Sequence, residues 1–182
     1  MLILLVFLST LFASVAILAL AAISDFKSFT IPNVYSVALI LFFIPSFCLL
    51  NFLAGDVQIF SSFASHVFAF LIILGVTVLL YALKLLGAGD SKFMAAVGLW
   101  LGLSGLIPFL FYMSLAGGVL AGITLYLNKH SKFPNALEGS WFFTAQKGDQ
   151  RLPYGMAIGF GAVMAFFMNG YFNPQTWALL VQ

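Results

Sequence analysis

The chain has 182 residues, of which 63% are hydrophobic and 7% charged, with a net charge of +2. A water-soluble domain carries about 25% charged residues, so this composition excludes a soluble globular fold and assigns the chain to the membrane class. The small net charge argues against nucleic acid as a partner, and the single cysteine, Cys48, excludes an internal disulfide or a cysteine-based zinc site.

Leu2 to Ser24 is an apolar run long enough to cross a bilayer. With no basic residues ahead of it, it reads as a retained helix rather than a secretory signal. "DFKSFTIPN", Asp25 to Asn33, is a polar break in which Pro32 can start the next helix. Val34 to Ala54 forms a second span with a bend expected at Pro45. Cys48 within it reads as a small buried hydrophobe. After "NFLAGDVQ" a third span runs from about Phe60 to Leu83. "KLLGAGDSK" is the second polar break, and Phe93 to Leu103 is a short fourth span that needs shielding by its neighbours. Leu106 to Leu127 is a fifth span. Asn128 to Leu152 is the longest polar stretch, where "WFF", Trp141 to Phe143, is expected to rest on the membrane interface. Tyr154 to Phe172 is the sixth span, followed by Trp177 as an interfacial anchor.

The expected architecture is therefore all-α: one polytopic bundle of six transmembrane helices, with residues 1–182 as a single domain. The basic residues Lys27, Lys84, Lys92, Lys129, Lys132, Lys147 and Arg151 all fall in the loops after spans one, three and five, whereas the opposite loops contain Asp56 and no lysine or arginine. The positive-inside rule then puts the N-terminus outside and those three loops in the cytosol. Gly98 with Gly102, Ser114 with Gly118 and Gly122, and Gly155 with Gly159 are small residues one turn apart, as in close helix packing.

Asp25 and Asp90 stand at the same expected membrane boundary. Either has an ordinary reading: Asp25 as the point where a helix leaves the bilayer, Asp90 as an N-cap. However, the C-terminus of a helix disfavours negative charge, and an N-cap needs neither Gly87 nor Gly89. Glycines permit unusual backbone angles and close approach by another chain. Two adjacent carboxylates that share one proton can activate a water and polarise a scissile carbonyl.

Asp25 with Ile31, Pro32 and Asn33, and then Gly87, Gly89, Asp90 and Lys92 of "GAGDSK", resemble the paired motifs of the type IV prepilin peptidase family, membrane aspartic proteases of the GxGD class. "LPYG", Leu152 to Gly155, is similar to that family's Pro-aromatic-Gly element. The resemblance implies an aspartic endopeptidase that cuts the basic leader from pilin-like precursors at the cytosolic face of the inner membrane. It implies Asp25 and Asp90 as catalytic residues, with no cofactor and no metal. Gly87, Gly89, Asn33, Pro153, Tyr154 and Gly155 are expected to receive the substrate backbone. The family's longer members carry an insertion, often with paired CxxC elements, between the first two spans. Here only a short connector stands there, which resembles the peptidase-only branch of tight-adherence pili, without N-methyltransferase activity.

Lys92 reads as a residue that snorkels to lipid phosphates or positions its loop. His66 reads as a hydrogen-bonded packing residue, and His130, Glu138 and Asp149 as solvated loop residues. Ser24 has no neighbouring base to make it a nucleophile. The rival readings are a small proton-coupled transporter that uses the same two carboxylates and a catalytically silent scaffold. A carrier, however, usually binds near the midplane and shows internal repeats.

Overall fold

The computed structural model describes residues 1–53, 59–130 and 138–181, and Asp56 and Lys132 lie outside them. The described residues form seven helices: α1 (Leu2–Ser28), α2 (Asn33–Leu53), α3 (Phe63–Ala82), α4 (Ala88–Lys129), α5 (Trp141–Gln146), α6 (Tyr154–Met168) and α7 (Pro174–Leu179). Four of them, α1 to α4, are long and apolar enough to cross a membrane, and α6 is a shorter apolar helix. Large apolar side chains such as Phe12, Leu41, Phe68, Leu79, Ile107 and Phe111 face outward. That arrangement suits a lipid surround and makes the chain an integral membrane protein.

The 42-residue α4 is not one rod. Gly102 interrupts it with φ 64° and ψ −179°, a backbone region open essentially to glycine alone. The chain reverses there. Along the first arm, residues 88–101, Ser91 bonds Thr77 and Gly98 lies against Ala69, so this arm runs antiparallel to α3. Along the second arm, residues 103–129, Gly105 meets Asn169 and Met113 meets Gly161, so it runs antiparallel to α6. The expected gap after Leu103 is thus a single-residue hinge at Gly102, and the arms turn without a loop.

A helix that stops inside a bundle must satisfy its last carbonyls. At the end of the first arm, His66 Nδ1 donates to the Leu99 carbonyl at 2.8 Å. Tyr171 Oη donates to the Trp100 carbonyl at 2.6 Å, and Asn169 Nδ2 to the Leu101 carbonyl at 3.0 Å. The Leu103 N–H, which opens the second arm, donates to Ser65 Oγ at 3.0 Å. His66 is therefore a buried packing residue, as expected, enclosed by Phe43, Phe47 and Phe60.

Several local expectations need correction. Cys48 is exposed: it lies one position off the buried stripe of Leu39, Phe43, Phe47 and Leu50 and faces outward. Trp141 is buried rather than interfacial. Its Nε1–H donates to Thr124 Oγ1 at 2.9 Å, and its ring meets Phe26 edge-on. Among the small residues, Gly98 and Gly159 do pack closely against Ala69 and Leu18, but among the described residues Gly118 and Gly122 have no neighbour from another element within 4 Å where a Cβ would stand. The helix expected over Tyr154 to Phe172, α6, ends at Met168, because Gly170 turns the chain with a φ of 77°.

Candidate active site

The buried side of α1 runs Phe7, Leu11, Ser14, Leu18, Ala21 and then Asp25, each three or four residues after the last. Asp25 therefore continues the core stripe by one turn. The helix goes on to Ser28 and stops at Phe29, whose left-handed backbone returns its N–H to the Asp25 carbonyl at 2.8 Å. Asp25 is only 4% exposed.

A buried carboxylate needs donors, and the Gly155 N–H supplies one, to Asp25 Oδ2 at 2.6 Å. Gly155 is the second residue of α6, and its N–H is among the donors that a helix start leaves free. Pro153, at the N-cap, makes no side-chain bond to fill that role. Asp25, unfavourably placed at the end of its own helix, thus sits at the positive start of another.

Asp90 occupies the equivalent place on α4. The N-cap is Gly87, and Asp90 follows in the first turn. Its Oδ2 folds back so closely that a Cβ on residue 87 would stand 2.7 Å from it. Both carboxylates line one open cavity of about 420 Å³, together with Gly87 and Tyr154.

Ile31 joins the three motifs. A Cβ on Gly89 would come within 2.9 Å of the Ile31 carbonyl oxygen, and one on Gly155 within 2.9 Å of Ile31 Cδ1. Gly155 also lies so close to Asp25 that its Cβ would meet Asp25 Cβ at 2.8 Å. Gly89 and Gly155 therefore permit packing around Ile31 and Asp25, while Gly87 leaves room at the cavity wall. Asn33 lies outside the cavity lining, where its Oδ1 accepts from Lys92 Nζ at 3.1 Å.

Sequence reasoning missed Phe29, Lys84 and Arg151, which also line the cavity. Arg151 stacks over the Phe29 ring at 4.7 Å and pairs with Asp149 at 2.7 Å. The hydrogen bonds from Arg151 hold the Asp149 carboxyl below the usual carboxylate range. Lys84 takes a left-handed φ of 60° in the turn after α3, which is uncommon for a residue with a side chain. A basic residue two positions from an acid, and a basic residue just before "GAGD", were the signals available.

Residues 11–122, more than half of the chain, match the type IV leader peptidase family. The matched region contains Asp25, Ile31 to Asn33 and Gly87 to Lys92, and stops short of Pro153 to Gly155. A curated prepilin leader peptidase/N-methyltransferase of Xanthomonas campestris pv. campestris is 46% identical over 41 residues. That stretch covers 22% of this chain and 14% of the relative's length. No solved structure matches the chain.

Proposed function

The chain belongs to the type IV leader peptidase family, and from that premise we propose that it is a membrane aspartic endopeptidase that removes leader peptides from pilin-like precursors. The observation that carries this reading is the convergence of Asp25 and Asp90 on one cavity, with a helix N-terminus at each carboxylate.

In the proposed reaction one carboxylate is ionised and takes a proton from an attacking water. The other is protonated and hydrogen-bonds the scissile carbonyl oxygen, so negative charge developing there meets a donor. When the tetrahedral intermediate collapses, the amine leaves with a proton supplied by the pair. No cofactor or metal takes part. The substrate backbone enters extended, because a helical peptide bond is shielded by its own hydrogen bonds. It runs along Gly87 and past Leu152 at the entry to α6, both of which line the cavity. Tyr154 forms the facing wall. Asn33, tied to Lys92, supports the start of α2.

We assign the site to the cytosolic face of the inner membrane. The supporting pattern is the collection of Lys27, Lys84, Lys92, Lys129, Lys147 and Arg151 at the end of the bundle that holds both acids. The reversal at Gly102 returns Lys129 to that end, and with the N-terminus outside the chain then passes the membrane six times as a single domain. Only residues 29–32 separate α1 from α2, a connector too short for a methyl-donor domain, so the reading is peptidase without N-methyltransferase activity. To test it, the purified protein is incubated with a pilin-like precursor and the products are weighed by mass spectrometry. A single cut ahead of the precursor's hydrophobic helix is expected, and an intact precursor would overturn the assignment.

A further inference from the structure

A second cavity, of about 390 Å³, opens between α2, α3 and the first arm of α4. Its walls are Val37 and Ile40, Phe70 and Leu74, and Ala95. Asn33 and Lys92 stand at its rim. Asn33 is the first residue of a helix apolar enough to span the bilayer, so the rim lies at headgroup depth. From Asn33 to Ile40 the α2 wall descends about 10 Å toward the hydrocarbon.

Two features at this groove lack partners. The Lys92 ammonium has three donors and gives one to Asn33. Among the described residues the sole ion pair joins Arg151 to Asp149, so no carboxylate neutralises Lys92. Ser36, one turn below Asn33, is 6% exposed, and its hydroxyl has no hydrogen-bond partner. A helical serine commonly bonds the carbonyl one turn back, and Ser36 does not.

We propose that this groove is a binding site for an anionic phospholipid. Its phosphate meets Lys92 and the Asn33 side-chain amide, and one acyl chain fills the slot between Ile40, Phe70 and Leu74. The complementarity is specific in kind: an uncompensated cation at the rim selects a negative headgroup, and an apolar slot below it selects a lipid over a free anion. The site is separate from the cavity of Asp25 and Asp90 and stands whether or not the chain is a peptidase.

The test is thermal unfolding of the purified protein in detergent, titrated with phosphatidylglycerol, phosphatidylcholine or inorganic phosphate. Phosphatidylglycerol is expected to raise the midpoint at lower concentration than phosphatidylcholine, and inorganic phosphate to leave it unchanged. Lys92→Gln should lose about fivefold in apparent affinity for phosphatidylglycerol, the contribution of one interfacial lysine toward anionic lipid, and Lys92→Arg should retain it. Val37→Trp fills the slot from an exposed position, so the fold survives, and it should weaken the response to both lipids. An undiminished preference for phosphatidylglycerol in both Lys92→Gln and Val37→Trp overturns the site. So does the absence of that preference in the wild type, or a response to inorganic phosphate equal to that of the lipid.

Discussion

The backbone N–H of Gly155 donates to Asp25 Oδ2 at 2.6 Å across 130 positions of sequence. This bond fixes one carboxylate of the site, and the fit around it is tight: a Cβ on residue 155 would stand 2.8 Å from Asp25 Cβ. Gly155→Ala should therefore push Asp25 off its position without removing any reacting group. A misplacement on the scale of 1 Å is worth about a hundredfold in rate. Cleavage of a precursor should fall by about that factor while the circular dichroism spectrum stays helical, and wild-type activity in this variant would show that the bond does not position the acid.

Gly89 contributes through Ile31 rather than through the cavity. Gly89→Val drives a side chain into the Ile31 carbonyl oxygen, 2.9 Å from where its Cβ would be, and should abolish cleavage with the bundle still folded. Gly118→Ala and Gly122→Ala are the matched controls, since among the described residues no atom of another element lies within 4 Å of either new Cβ. Each should leave cleavage intact and raise stability by up to about 1 kcal/mol through helix propensity, which thermal unfolding in detergent reads directly.

The hinge at Gly102 depends on partners from other helices. His66→Phe keeps the aromatic packing but leaves the Leu99 carbonyl without its donor. A buried unsatisfied group of this kind costs about 1–3 kcal/mol. The unfolding midpoint should drop accordingly, with cleavage per folded molecule unchanged, because His66 lies at the opposite end of the bundle from Asp25 and Asp90.

The Asp149–Arg151 pair gives a pH dependence of known sign. Arg151 depresses the Asp149 carboxyl, so its contribution to stability is complete above the unfolded value, near 3.9. It is lost as pH falls through the lower, folded one. Arg151 is exposed and Asp149 half-buried, so the pair is well screened by water and contributes at most about 1 kcal/mol. Asp149→Asn should be slightly less stable than wild type at pH 7, with the gap closing as the solution is acidified below the ordinary carboxylate range. A gap that persists in acid would mean that the asparagine disturbs something other than the ion pair.

Much of this architecture was legible in the chain. The apolar runs announced the helices, and the short elements around Asp25, Asp90 and Tyr154 announced the cavity. What could not be read was direction within a helix and partnership between helices. Gly102 carries the reversal of α4 in a stretch whose one polar residue, Ser104, marks a break but not its direction, and the carbonyls it frees are satisfied by His66, Tyr171 and Asn169 from other elements. Asp25 reads from sequence as a helix exit because the next residues are polar, yet the spacing from Ala21 keeps it on the buried stripe. Cys48 and Trp141 were misjudged for the same reason: apolar and aromatic residues look alike from sequence whether they face lipid or core. Gly118 and Gly122 show the complement, small residues at packing spacing on which no other described element packs.

The most direct test of the central claim, that Asp25 and Asp90 form one catalytic pair, is co-expression of wild type, Asp25→Asn and Asp90→Asn with a pilin precursor encoded in the same genome, scored by the shift of the precursor on a gel. Both variants keep the size and much of the hydrogen bonding of the side chain they replace, so the bundle should persist. Cleavage by the wild type and by neither variant is the predicted result. Cleavage by all three would contradict the pair and give the two acids to another role, with ion transport the first to examine.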